Sequence, residues 1–252
     1  MQAPGSAPPG LPSGFDAESS AYEAHWDDDP VGRLQRRRVH ALLDAVVPCG
    51  ARVLDIGCGT GTDAQHLTRR GCDVVGFDPS PAMVAKARRR CPTARFEIAA
   101  ATSPPGGAFD AALSNFGALN GCEDLRPVAT PLADRLVASA PFVLVLLAPF
   151  APVELATLVW GDWSTATRRS RPTANVGNAE VPIWYHGKRA VLDAFGGAFR
   201  VETRHSIGVA LPRAGSRFAA FANAFDPLDR VLGSMSGVRR CGDHVVYVLR
   251  RR

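Results

Sequence analysis

Lysine is almost missing from this chain: Lys86 and Lys188 are the only two in 252 residues, so the excess of 29 basic over 24 acidic side chains is carried by arginine. Beside abundant alanine, glycine and proline, such a bias reflects a G+C-rich coding sequence more readily than a polyanionic partner. The clusters Arg36 to Arg38, Arg88 to Arg90 and Arg168 to Arg171 are expected to be solvated helix and loop faces. Nucleic acid is therefore not an expected partner. The cysteines, Cys49, Cys58, Cys72, Cys91, Cys122 and Cys241, contain no C-x-x-C pair. That removes the usual zinc clusters and dithiol chemistry and points to free thiols in a reducing, cytoplasmic setting, with no metal expected. Long apolar runs are lacking as well. The longest, around Ala140 to Val153, falls short of a membrane span and is broken by prolines, so no membrane partner is expected. The opening MQAPGSAPPGLPSG has neither a basic start nor an apolar centre, which excludes a signal peptide. It reads as a disordered tail over residues 1–14, leaving 15–252 as a single domain.

What is present begins at Arg52 to Asp63, RVLDIGCGTGTD, where an apolar strand runs into three alternate glycines and then a helix start. Gly57, Gly59 and Gly61 lack a Cβ, so the chain turns sharply and brings backbone amides against a bound molecule at little steric cost. A second strand, DVVGF, ends in Asp78, an acid placed to grip the hydroxyls of a ribose. The dinucleotide fingerprint G-x-G-x-x-G fails, because position 62 is Thr62, and no Gly-Lys-Ser/Thr follows to hold a triphosphate.

This pattern resembles the class I S-adenosylmethionine-dependent methyltransferase family, whose first motif, an acid followed by Gly-x-Gly-x-Gly, is matched by Asp55, Gly57, Gly59 and Gly61. FDAALSNFGALN, Phe109 to Asn120, is similar to the family's fourth-strand motif beneath the methionine half of the cofactor. The resemblance covers about residues 20 to 150 and implies S-adenosyl-L-methionine as cofactor. It implies a site of Asp55, Gly57, Cys58, Gly59, Gly61, Asp78, Pro79, Met83, Ala100, Ala101, Ser114, Asn115 and Phe116. One position departs from the family: many members carry an acid after the third strand for the adenine amino group, where this chain has Ala99, Ala100 and Ala101. A backbone carbonyl, or the hydroxyl of Thr102 or Ser103, would have to replace it. AYEAHWDDD, Ala21 to Asp29, resembles the family's lid segment, which adds Tyr22 and Trp26 to the cofactor site.

Along the chain, an amphipathic helix over Asp29-Pro30 to Val47 precedes strands at 51 to 57, 73 to 78, 94 to 99, 109 to 115 and 140 to 148. Helices are expected near 62 to 70, 80 to 90 and 123 to 138, the last kinked at Pro131. Strands near 199 to 208 and 244 to 250 complete the set if the family topology holds. The fold expected is α/β, a Rossmann-like doubly wound seven-stranded sheet with the last strand antiparallel. Helical insertions at about 150–187 and 211–242 would form a substrate lid over the carboxyl edge of the sheet.

The first insertion contains Trp160, Trp163, Trp184, Tyr185 and His186, residues that suit either a substrate pocket or core packing. His186, Tyr185 and Tyr22 are the candidate catalytic residues, with His25 and His205 as further possible bases, while His40, His66 and His244 read as structural. The leading function is in-line methyl transfer to a small-molecule substrate, a specialised metabolite. RNA or protein methylation comes second, weakened because Ser114-Asn115-Phe116-Gly117 stands where the Asn/Asp-Pro-Pro-aromatic run of nucleic-acid amino methylation would fall. A cofactor-binding protein that does not methylate is third.

Removing residues 1–14 should leave thermal stability and turnover unchanged, whereas removal through Trp26 should lower turnover far more than the melting temperature. Rates and thermal melts on both truncations decide this, and full activity in the longer one would end the lid assignment.

Overall fold

Short apolar runs form the strands, and helices with one apolar stripe alternate with them across turns marked by glycine or proline. The computed structural model describes residues 29–176 and 179–252. Helix α1 (Pro30–Val46) starts at Asp29, whose carboxylate accepts from the backbone N–H groups of Val31 and Gly32, and proline occupies its first turn. The alternation continues with β1 (Arg52–Ile56), α2 (Thr62–Arg69), β2 (Asp73–Asp78), α3 (Pro81–Arg90), β3 (Arg95–Ile98), β4 (Ala111–Ser114), α4 (Arg126–Arg135) and β5 (Pro141–Leu147). Two short helices, α5 (Pro152–Leu155) and α6 (Trp163–Ala166), and a hairpin of β6 (Thr173–Val176) and β7 (Ala179–Pro182) come next. The chain then forms α7 (Lys188–Phe195), β8 (Phe199–Ile207), α8 (Ala222–Ser234) and β9 (His244–Arg251).

The main sheet has seven strands in the order β3-β2-β1-β4-β5-β9-β8. Strands β1 to β5 are parallel, while β9 pairs antiparallel with both β5 and β8, so β9 is the reversed strand of the expected topology. Side chains alternate across the sheet. Val53, Val143 and Val246 enter a core with Leu43 of α1, Leu67 of α2 and Val84 of α3. Leu54, Phe142 and Tyr247 enter the opposite core with Leu132 of α4 and Phe195 of α7. Both faces of the sheet are thus covered, which is why its strands are apolar without interruption.

The two insertions differ from the helical lid expected. The first carries the hairpin of β6 and β7 besides its short helices. The second places α8 against β8 and α1, as part of a covering layer. Charge pairing holds it there. Arg38 of α1, expected to be solvated, is buried and donates to Asp226 through Nε at 2.7 Å and to Asp229 through Nη1 at 2.6 Å. Asp229 also accepts from the backbone N–H groups of Gly208, Ala210 and Leu211. Pro131 does lie inside α4, which begins only at Arg126 because Pro127 suits a first turn.

Asp229→Ala would strand a buried guanidinium and three backbone donors at once, so we expect a loss of about 3–5 kcal/mol in urea unfolding. A loss under about 1 kcal/mol would show that Arg38 is adequately held by Asp226 alone.

Candidate functional site

The carboxyl ends of β1, β2 and β4 meet where the glycine turn leaves β1. Gly57, Gly59 and Gly61 all adopt the left-handed conformation, with φ of 68°, 51° and 81°. Gly57 has no room for a side chain, since a Cβ there would collide with Ala118 in the loop after β4. Gly59 is different: a Cβ would meet nothing within 4 Å, so its surface is open to a ligand. The Gly59 N–H donates to Asp78 Oδ2 at 3.0 Å, and Ser80 N–H donates to Asp78 Oδ1 at 2.9 Å. The acid at the end of β2 is thereby fixed beside the turn. Pro79 is half-buried and Met83 is buried in the first turn of α3, where its N–H donates to Ser80 Oγ.

Asp55 is buried at the end of β1, and its Oδ2 has no hydrogen-bond partner among the described residues. Burial pushes its pKa well above the usual carboxylate range, the charges of Asp63 and Asp78 push it further, and Arg36 opposes them. A buried acceptor without a donor costs free energy until a donor reaches it. Ser114 Oγ, at the end of the neighbouring strand β4, is likewise buried and without a partner among the described residues. Cys58 lies inside the turn, and burial followed by the charges of Asp55 and Asp78 raises its pKa, so it is a protonated packing residue.

Asp63, in the first turn of α2, is the charge that sequence reasoning passed over. It accepts from Arg36 Nη1 at 3.0 Å, His40 Nε2 at 2.7 Å and Asn115 Nδ2 at 2.9 Å. Burial alone would raise its pKa, but the Arg36 charge, the His40 hydrogen bond and charge and the Asn115 amide override that and hold it well below the ordinary value. Arg36 therefore belongs to the site and not to a solvated helix face, and His40 is its neighbour there. The Arg36 guanidinium also lies 4.6 Å from the centre of the Phe116 ring, and the His244 ring meets the same ring edge to face at 5.2 Å. Phe116 has φ 47°, a conformation that costs a bulky side chain about 1–3 kcal/mol, and its N–H is tied back to Asn115 Oδ1 at 2.8 Å.

The first insertion reaches this edge. Asn120, fully buried in the loop after β4, exchanges hydrogen bonds with Trp184 and accepts from Leu147 N–H at 2.9 Å. His186 is buried, and its Nε2 donates to the Cys122 carbonyl at 2.8 Å. Because a carbonyl can only accept, Nε2 carries the proton and Nδ1 is bare in the neutral ring. Tyr185 is half-buried with the Arg169 guanidinium 5.4 Å from its ring centre, and burial raises its pKa. Arg169 and Arg168, expected in solvent, pair with buried Glu154 and reach Asp243 ahead of β9, anchoring the insertion to the sheet. Asp243 has its pKa held well below the usual range, since His244, Arg169 and Arg168 override its burial.

Other expected residues are not gathered here. Trp160 and Trp163 are exposed, and His205 stands on the edge strand β8 with β9 and β5 between it and β4. Ala100 and Ala101 are half-buried after β3. Tyr22, His25 and Trp26 lie outside the described residues.

Comparison with known proteins places this geometry among relatives. A family model described as "Methyltransferase domain" matches residues 53–137. Demethylmenaquinone methyltransferase of Beutenbergia cavernae is 37% identical over 150 residues, 56% of this chain and 60% of that relative, so the chain matches under two thirds of its length. Demethylmenaquinone methyltransferase of Renibacterium salmoninarum is 34% identical over 176 residues, 66% of this chain and 73% of that relative. Among solved structures, a TehB-like SAM-dependent methyltransferase from Corynebacterium glutamicum superposes with a TM-score of 0.59 at 17% identity, covering 94% of this chain and 99% of its own, a likeness of fold.

The ionised Asp63 contributes stability that is complete above the ordinary carboxylate pKa of about 3.9 and is lost as pH falls through its depressed value. Asp63→Asn should therefore be less stable than the parent at pH 7, with the gap narrowing below about pH 4 in denaturant titrations. A gap independent of pH would show that the carboxylate charge is not what α1 responds to.

Proposed function

The chain belongs to the class I S-adenosylmethionine-dependent methyltransferase family, and from that premise we propose that it binds S-adenosyl-L-methionine at the carboxyl ends of β1, β2 and β4 and methylates a small-molecule acceptor, a specialised metabolite. The observation that carries the proposal is the buried Oδ2 of Asp55, which has no partner among the described residues, at the strand end that leads into the turn with the open Gly59. A carboxylate so placed fits an ammonium group that arrives with a ligand. Asp78, held at the next strand end, fits the two hydroxyls of a ribose. The backbone of Gly57, Cys58, Gly59 and Gly61, with Pro79, Met83, Ser114, Asn115 and Phe116, would complete the cradle, Ala100 and Ala101 lying toward the adenine end. Tyr22 and Trp26 are its proposed cover.

When bound, S-adenosylmethionine supplies a methyl group already activated on a sulfonium. The chain's own residues have the remaining tasks of orientation and water exclusion, and alignment of the acceptor can remove several kcal/mol from a displacement barrier. Arg36, stacked over Phe116 and tied to Asp63, holds positive charge at the edge of the same cradle. Acceptor-side residues would be Tyr185, His186 and Tyr22. With Nε2 committed to the Cys122 carbonyl, His186 is proposed to take the acceptor proton on Nδ1. Relatives named as demethylmenaquinone methyltransferases support a small acceptor.

Calorimetry should show binding of S-adenosylmethionine and of its demethylated product, and Asp78→Ala should weaken both by about tenfold or more through loss of charged hydrogen bonds. Binding of a nicotinamide dinucleotide in place of S-adenosylmethionine would overturn the proposal. His186→Gln should lower turnover at neutral pH by about a hundredfold while cofactor affinity stays constant. Unchanged turnover would leave His186 with only its structural bond to Cys122.

A further inference from the structure

Helix α8 has two apolar aspects, and only one of them faces inward. Ala222 and Gly233 are buried in the covering layer, whereas Phe221, Phe225, Leu228, Val231 and Met235 recur at steps of three and four and are exposed, Phe221 to 59% and Val231 to 61%. Those steps put them on one stripe of the helix. The stripe extends to the first insertion, where the Trp160 ring lies 6.3 Å from that of Phe218, just ahead of the helix. Trp160 and Trp163 are 62% and 68% exposed, and Val159 between α5 and α6 is 81% exposed. Large apolar side chains gathered at the surface in this way mark an interaction site.

Charge around the stripe is predominantly positive, with Asp162, which caps α6 between Trp160 and Trp163, the carboxylate at its far edge. Residues 209–242 contain Arg213, Arg217, Arg230, Arg239 and Arg240 against only Asp226 and Asp229. Both acids are already engaged, Asp229 by Arg38 and Asp226 by Arg38 and Arg230. Arg217 lies over the Phe218 ring with 4.8 Å to its centre, so cation and aromatic surface are presented together. Two copies of the chain meeting through this face would bring arginines against arginines. An anionic surface with an apolar layer beneath it meets neither difficulty.

We propose that the α8 stripe and the Trp160 edge form a docking surface for an anionic lipid bilayer, with the helix lying in the plane of the interface and the arginines that flank it, Arg217 and Arg240 among them, at the level of the lipid phosphates. Among the described residues no helix is long and apolar enough to cross a membrane, so contact is from one side. This revises the expectation of no membrane partner, which rested on the absence of a spanning run. It does not depend on the methyl-transfer reading, because the surface and its test involve neither the cofactor nor the acceptor.

The test is co-sedimentation of the full chain with vesicles of phosphatidylcholine, with and without phosphatidylglycerol. Binding should require phosphatidylglycerol, fall with added salt, and shift Trp emission to the blue. Phe225→Asp with Val231→Asp should abolish it, thermal melts confirming that the exposed substitutions leave the fold intact. If that variant fails to fold, Arg239→Gln and Arg240→Gln should each weaken binding about fivefold. Failure to bind the anionic vesicles, or equal binding by the folded variants, would overturn the proposal. So would a concentration-dependent dimer that the two aspartates dissolve, which would assign the face to a second copy.

Discussion

Three carboxylates, Asp55, Asp63 and Asp78, crowd the ends of β1 and β2, and the arrangement is tolerable because α1 supplies the charge that neutralises the middle one. A buried carboxylate left unpaired costs several kcal/mol, so Asp63 demands Arg36 and His40, and meeting that demand presses α1 onto the sheet. Asn115 joins the same carboxylate from β4. One group thus sets the position of a helix, a strand end and a stacked guanidinium. The cost is concentrated in Asp55, which sits next to that charge and finds no donor for its Oδ2 among the described residues. In this fold the electrostatics of the cradle and the packing of its first helix are not separable properties.

The sheet was legible in the sequence because its signals are local. Apolar runs such as VLDI and PFVLVLL, each cut off by glycine or proline, define strands whatever the rest of the chain does. The glycine turn and Asp78 were legible for a similar reason, since they stand at adjacent strand ends and close together in the chain. Arginine was misjudged. Arg38 meets an aspartate 191 positions away, and Arg169 meets Asp243 74 positions away, so nothing near either residue announces that it is buried. Asn120 could have been singled out, since it closes the quoted motif after β4, but an amide that fastens three segments looks like any loop asparagine until those segments are placed. The hairpin β6–β7 gave too weak an alternation to compete with the helical reading of its surroundings.

The first insertion shows how a fold of common plan acquires an individual site. Its outer residues, Trp160 and Trp163, face away from the sheet, and its last residues, Trp184 to His186, are fastened to the loop after β4. Glu154, ahead of the outer residues, and Arg168 and Arg169, between the two groups, clamp the insertion to the residue before β9. The clamp is a closed set of ion pairs with little net charge, which suits holding a wall in place more than recruiting a ligand. Loop residues positioned on a rigid scaffold are where such folds place selectivity.

The reversed strand has a consequence for how the chain is made. β9 is last in chain order yet lies inside the sheet, between β5 and β8. During synthesis, the edge of β5 must wait through everything from Leu147 to His244 before its partner emerges, and β8 waits likewise. Until then the nascent protein carries two unsatisfied strand edges in one apolar seam, an invitation to pairing with another chain. The sheet is therefore closed only once β9 has been made, and the yield of folded protein in a cell should depend on how that seam is shielded while β9 is awaited.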